Sequence, residues 1–458
     1  MIDSLIERAR IAQSTIDQAS QERTDELVRA VAWAILEPNR NRELAEMAVR
    51  DTGIGNVDDK VLKNHRKTLG LLRDLNGRKT AGVLRVDPEL GITEIGRPVG
   101  VVAAITPSTN PAATPANKAI NALKARNAVI LAPSPKGQGC CAKLVHYIQQ
   151  ELIKIGANPD LVQCLPAPIT KQSTQALIES VDLVVATGSQ SNIRNVYRCG
   201  TPAFGVGAGN VASIVDETAD LNAAAKKIVT SKTFDNATSC SSENSVVVLD
   251  AVYQDFIREM NQHGAVLLSG SDKAKPQDVM WVDGHLSLSI TGKSANVIVD
   301  LAGLQVPPGT RILMVEETGA GPEFPFSGEK LSPVLTVYRA KSLDAACDVV
   351  RTIYNYMGAG HSVSLHTQDP QRAISLGCTL PVSRVIVNQP HCIATGGSFE
   401  NGLPFSLSMG CGTWGKNNFS SNMNVEHYMN ITRVSTPIQK PIPTVDDLLS
   451  AHFEKYGR

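Results

Sequence analysis

Cys240 lies in Phe234-Asp235-Asn236-Ala237-Thr238-Ser239-Cys240-Ser241-Ser242-Glu243-Asn244-Ser245, a run of small polar residues between a helical and a strand-like segment. A structural cysteine behaves as a small hydrophobe among aliphatics, so these neighbours predict an exposed, hydrogen-bonded thiol able to act as a nucleophile. The chain has nine cysteines, scattered and without a CxxC pair, so neither a zinc ribbon nor a thioredoxin-type motif is available and no metal site is expected. The adjacent Cys140 and Cys141 read as inert on a helix. Cys411, in Met409-Gly410-Cys411-Gly412-Thr413-Trp414-Gly415, reads as backbone packing near a pocket. His361 and His366 flank a strand and read as structural histidines, satisfied by neighbours.

Two glycine clusters compete to cradle a phosphate. Gly205-Val206-Gly207-Ala208-Gly209-Asn210 resembles a dinucleotide fingerprint but precedes a strand and opens no helix. Its plain reading is a tight interdomain crossing. Gly188-Ser189 follows the strand 182–186 and precedes a helix around 191–197, so free N–H groups there would face an anion.

The elements that must position these residues alternate from Pro98 onward. Strands are expected at 100–105, 128–132, 162–165 and 182–186, with helices over 115–124 (opened by Thr114-Pro115), 139–155 and 170–179. That alternation predicts an α/β fold with a parallel, doubly wound sheet. A second α/β region starts near Asn210, with strands at 212–215, 245–249, 311–315, 334–337, 362–365 and 384–387, and helices at 221–231 and 343–355. Upstream, Val57, Val61, Leu62, Leu69, Leu72 and Leu75 recur at a helical period over 56–76, and 83–98 reads as an exposed β-hairpin. The tail 424–435 is β-like, followed by a Pro-rich stretch over 437–443.

Lys plus Arg and Asp plus Glu each total 44 in 458 residues, so the basic excess of a nucleic-acid binder is missing. The N-terminus carries acids early and reads as a surface helix, not a signal peptide. No run approaches 18 apolar residues. A cytoplasmic protein with no membrane partner is expected.

Ordered segments carry a resemblance to a known family: Ile105-Thr106-Pro107-Ser108-Thr109-Asn110-Pro111, Leu123-Lys124-Ala125-Arg126-Asn127-Ala128, Ala132-Pro133-Ser134-Pro135-Lys136, Ala186-Thr187-Gly188-Ser189, the 204–210 and 234–245 stretches, and Glu329-Lys330-Leu331-Ser332-Pro333-Val334. The chain resembles the aldehyde dehydrogenase superfamily over nearly its whole length, and its CoA-acylating branch in particular. The resemblance implies Cys240 as nucleophile and Asn110 as the amide that stabilises the oxyanion with a backbone N–H. It implies Glu329 on the nicotinamide ribose, Gly188 and Ser189 under the pyrophosphate, and Thr106, Pro107, Gly207 and Leu331 on the cofactor. It further implies a cofactor domain over 1–209, carrying an oligomerisation hairpin at about 80–98, and a catalytic domain over 210–423. An oligomerisation strand and tail over 424–458 completes a homodimer or homotetramer.

Departures from the pattern sharpen this. Hydrolytic members carry a water-activating glutamate where this chain reads Gly205-Val206-Gly207-Ala208, so a thiol such as CoA is the expected acyl acceptor; a replacement base, Glu243 or His361, is the alternative. Ser134-Pro135-Lys136 lacks the Lys and Glu of oxidising members, which leaves NAD or NADP open, with NAD favoured. Hydroxyls of Thr238, Ser239 and Ser241 around Cys240 suit an aldehyde with an anionic tail, and the resemblance to acylating members that take such aldehydes implies sulfoacetaldehyde ahead of succinic semialdehyde. An acyl-phosphate reductase and a catalytically silent scaffold of the same fold are the other readings.

Overall fold

Val101–Thr106 and Ala128–Pro133 are buried at every position, as strands covered on both faces must be. In the computed structural model, which describes residues 2–458, they pair in a five-stranded, wholly parallel sheet. Its order is Val162–Cys164, Ala128–Pro133, Val101–Thr106, Leu183–Thr187 and Ala203–Val206. The chain starts in the middle, runs out to one edge, then returns and fills the other side. A crevice therefore opens at the carboxyl ends of Val101–Thr106 and Leu183–Thr187, where strand order reverses.

A second, seven-stranded parallel sheet takes the order Ala265–Leu267, Ile312–Glu316, Val334–Ala340, Glu243–Leu249, Val211–Val215, Val363–His366, Val385–Val387. A third, antiparallel sheet joins Gly82–Asp87 and Ile92–Pro98 to Met429–Ser435. The α/β architecture with a separate β element is thus as expected.

Local readings needed correction. The helix expected over 115–124 begins at Ala113, and its Ala112 cap makes no side-chain hydrogen bond, because the element is buried on all sides and tertiary packing replaces the cap. The N-terminal helix Ile2–Ser14 is no bare surface helix: Leu5, Ile6, Ala9 and Ala12 are buried in the core of the first sheet. Ala203–Val206, read as part of a crossing, is an edge strand paired with Leu183–Thr187. Helices Tyr253–Gln262, Pro370–Thr379 and Val445–Tyr456 were not anticipated.

The largest correction concerns Val57–Leu75, capped by Asn56 on the Asp59 N–H. Leucine periodicity pointed to one buried face, yet Leu62 and Leu69 are 51% and 42% exposed. The buried face instead carries Lys60, Lys63, Asn64, Lys67, Thr68 and Leu71, spaced i, i+3, i+4, i+7, i+8 and i+11. Three lysines on an inward face need anions or carbonyls to receive them, and those receivers build the site. Beyond the second sheet the chain returns to the first core, where Phe405, Met423, Val425 and Tyr428 are buried.

Candidate active site

One cavity of about 870 Å³ lies between the carboxyl ends of the first sheet and the amino ends of the second. From the first sheet come Thr106, Pro107 and Asn110, just past Val101–Thr106, and Gly188 and Ser189, just past Leu183–Thr187. From the second come Gly207, Thr238, Ser239, Cys240, Ser241, Glu329 and Leu331, each a few residues ahead of a strand. The residues that the resemblance assigns to catalysis, cofactor or substrate therefore all line the same cavity, whereas Cys411, His361, His366 and Glu243 are not on its wall.

The loop that delivers Cys240 is strained. Asp235, Asn236 and Ala237 take φ of 50°, 53° and 59°, left-handed values that cost L-residues roughly 1–2 kcal/mol each. Hydrogen bonds over-determine the turn: Asp235 N–H donates to Asp59 Oδ2 at 2.7 Å, Asn56 N–H to Asp235 Oδ1 at 3.0 Å, and Asn236 Nδ2 to the Gly292 carbonyl at 3.0 Å. Asp235 Oδ2 also accepts from Lys63, from Lys60 at 3.1 Å and from the Thr238 hydroxyl at 2.8 Å. Burial pushes the Asp235 carboxyl up, but the two ammonium groups outweigh it and hold it below its ordinary value.

Lys63 continues from this knot to the reaction centre, donating to Asn110 Oδ1 at 2.9 Å. An ammonium has only donors, so it fixes the amide with its oxygen toward Lys63; of the two NH₂ hydrogens one reaches Thr109 Oγ1 at 3.4 Å and the other is left to donate elsewhere. Asn110 also sits one turn ahead of the buried helix Ala113–Lys124, whose Thr114 N–H donates to the Asn110 carbonyl at 3.3 Å.

Cys240 is half-buried, not exposed as its neighbours suggested, and its sulfur lies 3.5 Å from His361 Nε2. Burial, with Glu329 adding repulsion, pushes the thiol up to about 12. Burial, then the nearby Arg384 guanidinium, holds His361 well below its ordinary value and keeps the imidazole neutral. His361 Nδ1 lies 2.7 Å from Ser362 Oγ. In the tautomer where Nδ1–H donates to that hydroxyl, the Nε2 lone pair faces the thiol proton. Arg384 braces this wall through the carbonyls of His361 and Gly410 at 3.1 and 3.0 Å.

Gly209 explains the glycine cluster: a Cβ there would meet the Cys240 carbonyl oxygen at 2.3 Å. Its N–H donates to Glu329 Oε1 at 3.3 Å, and burial pushes the Glu329 carboxyl up to about 7. Among the described residues Glu329 is the only carboxylate on the cavity wall. Glu243, weighed as a replacement base, is off the wall, buried and bonded by Ser231. Ser239 and Ser241 pair their hydroxyls at 2.8 Å, and Thr238 commits its proton to Asp235.

On the far side Ser189 caps helix Gln190–Arg198 toward the cavity, and buried Thr106 Oγ1 has no partner among the described residues. A helix N-terminus, an unpaired hydroxyl and the Glu329 carboxyl fit a dinucleotide with its pyrophosphate at Gly188-Ser189.

Residues 1–280 match the aldehyde dehydrogenase family. The acylating sulfoacetaldehyde dehydrogenase of Cupriavidus necator is 61% identical over all of this chain and 93% of its own. The chain belongs to the aldehyde dehydrogenase family. The acetylating aldehyde dehydrogenase of Geobacillus thermoglucosidasius superposes with TM-score 0.93 at 35% identity, covering 97% of this chain and 98% of that one. The propionaldehyde dehydrogenase of Rhodopseudomonas palustris, solved with bound propionyl-CoA, gives 0.84 at 25% identity, covering 95% and 94%. This aldehyde dehydrogenase is of the CoA-acylating branch, using NAD(P) and CoA.

Several residues in or near the site escaped the sequence reading. His361 was named but set aside, and only its contact with Cys240, 121 residues away, brings it in. His366 is buried with neither ring nitrogen bonded among the described residues, so it is not the satisfied histidine expected. Lys63, Arg66 and Lys67 carried no signal, because the leucines of their helix drew the prediction to the wrong face.

Proposed function

We propose that this enzyme oxidises sulfoacetaldehyde with NAD(P) and transfers the sulfoacetyl group to CoA through a thioester on Cys240. The observation that carries the reading is the cavity itself: a nucleophile, an oriented amide and a single carboxylate, Glu329, that is already bonded to Gly209. The 61% identical relative supplies the substrate. His361 accepts the Cys240 proton as sulfur attacks the aldehyde carbon. Asn110 Nδ2 donates to the developing oxyanion, with Lys63 holding its oxygen back. When bound, the nicotinamide supplies the hydride acceptor; Gly188, Ser189 and Glu329 hold that cofactor, with Thr106, Pro107, Gly207 and Leu331 beside it. The one carboxylate on the wall, Glu329, takes the Gly209 N–H on Oε1 and is assigned here to the cofactor. The 205–208 stretch offers no glutamate to activate water, so the thioester waits for the CoA thiol, whose attack releases acyl-CoA and returns the Cys240 thiol.

The residues fall into a cofactor domain over 1–209, a catalytic domain over 210–423 and an oligomerisation strand and tail over 424–458. Exposed Val83, Val86 and Val434 on the third sheet support assembly into a homodimer or homotetramer through that element. Among the described residues no helix is long and apolar enough to cross a membrane; a cytoplasmic location is part of the proposal. Mass analysis of the product tests the chemistry: sulfoacetyl-CoA is expected, and free sulfoacetate formed without CoA contradicts it.

A further inference from the structure

Helix Val57–Leu75 sets Lys63, Arg66 and Lys67 along one side of the cavity. Lys63 is occupied by Asp235 and Asn110. The other two have no acidic partner within 4 Å among the described residues. Lys67 is 7% exposed and donates to the Gly396 carbonyl at 2.6 Å. Arg66 uses Nη2 alone, on the carbonyls of Ile393 at 2.8 Å and Gly397 at 3.4 Å, which leaves Nε and Nη1 without a protein acceptor. Burial holds Lys67 down to about 7, with Arg66 beside it adding repulsion. Lys67 is buried without a counter-ion, and Arg66 beside it is part-exposed with Nε and Nη1 open, so an anion carried by a ligand would meet both cations.

We propose that Arg66 and Lys67 form the subsite for the anionic tail of the aldehyde, a sulfonate or carboxylate, and set the preference for charged over neutral substrates. The inference rests on the acylating aldehyde dehydrogenase reading above. Position favours the acyl end over a phosphate: Lys63, on the same helix face, touches Asn110 and Thr238 beside the nucleophile. Both cations are anchored on the 393–397 segment, whose neighbours Cys392 and Gly396 line the same wall. Phosphates belong instead to Gly188-Ser189, at the start of a different helix. The hydroxyls of Thr238, Ser239 and Ser241 bond one another or Asp235, so the cations and not the hydroxyls read the charge.

The test compares kcat/KM for sulfoacetaldehyde and for propionaldehyde in wild type, Arg66→Met, Lys67→Met and Arg66→Lys, with CoA and NAD+ saturating. The ratio is internal to each variant, so partial loss of folded enzyme cancels. Hydrogen bonds to a charged group are worth about 10- to 100-fold in affinity. The ratio is expected to fall by about that factor in each Met variant, chiefly through KM for sulfoacetaldehyde, and to recover in part in Arg66→Lys. Ethanesulfonate is expected to compete with sulfoacetaldehyde in wild type and to lose that ability in Arg66→Met. An unchanged ratio in both Met variants overturns the proposal, as does a rise confined to the KM of CoA. Wild type that favours propionaldehyde, or turns over sulfoacetaldehyde without CoA, refutes the functional reading itself before any variant is made.

Discussion

Cys240, the nucleophile in the proposed reaction, has its thiol held up to about 12 in the free protein by burial and by the Glu329 carboxylate. At pH 7 the thiolate is then about one molecule in 100,000, against roughly 3% for an unperturbed cysteine at about 8.5. Alkylation by iodoacetamide follows the thiolate. The rate at Cys240, read from its peptide in a digest, is therefore expected to climb tenfold per pH unit from 6 to 10, about 100-fold between pH 7 and 9, with no plateau. An unperturbed thiol would level off above about pH 9. Exposed Cys378 provides a comparison in the same digest. Glu329→Gln removes the repelling charge, so alkylation at pH 8 is expected to quicken. A plateau below pH 9 in wild type, or no quickening in Glu329→Gln, refutes the reasoning: the thiolate would then be preformed, and His361 would have no proton to accept.

Further variants probe the groups around the sulfur. Lys63→Met frees the Asn110 amide to turn and is expected to lower kcat about 10- to 100-fold with little change in KM, while Asn110→Ala removes the donor and costs about 10²- to 10³-fold; equal kcat in Lys63→Met and wild type contradicts the orienting role. His361→Ala is expected to slow NAD(P)H formation at least about 10²-fold at pH 7, the gap narrowing as pH rises and hydroxide replaces the imidazole; a pH-independent gap contradicts a base. Asp235→Ala leaves Lys60 and Lys63 buried without their anion and is expected to cost about 3–5 kcal/mol in urea unfolding, whereas a loss below about 1 kcal/mol would mean the knot is not structural.

The proposed site was legible where sequence and chemistry coincide locally. Cys240, Asn110, Gly188 and Glu329 come from separate motifs that the fold brings to one cavity, and buried strands such as Val101–Thr106 announce themselves as apolar runs. What stayed hidden depends on contacts between distant segments. Helix Val57–Leu75 turns Lys60 and Lys63 inward because Asp235, about 175 residues later, is there to receive them, and Lys67 because the Gly396 carbonyl does. No periodicity in the helix can report that partner. His361 looked structural for the same reason, since its neighbours in sequence do not include the sulfur it faces. The three left-handed residues before Cys240 gave no glycine signal, because the Asn56 N–H, donating to Asp235, and the Asp59 carboxylate, accepting from the Asp235 N–H, hold the turn instead.

The most direct measurement is NAD(P)H formation from sulfoacetaldehyde, with and without CoA, in wild type and Cys240→Ala. The acylating mechanism gives sustained turnover only with CoA, and without it a burst of about one equivalent per active site as the thioester accumulates on Cys240; Cys240→Ala gives neither. Sustained turnover without CoA, or a burst surviving in Cys240→Ala, would contradict a thioester on this cysteine awaiting a thiol.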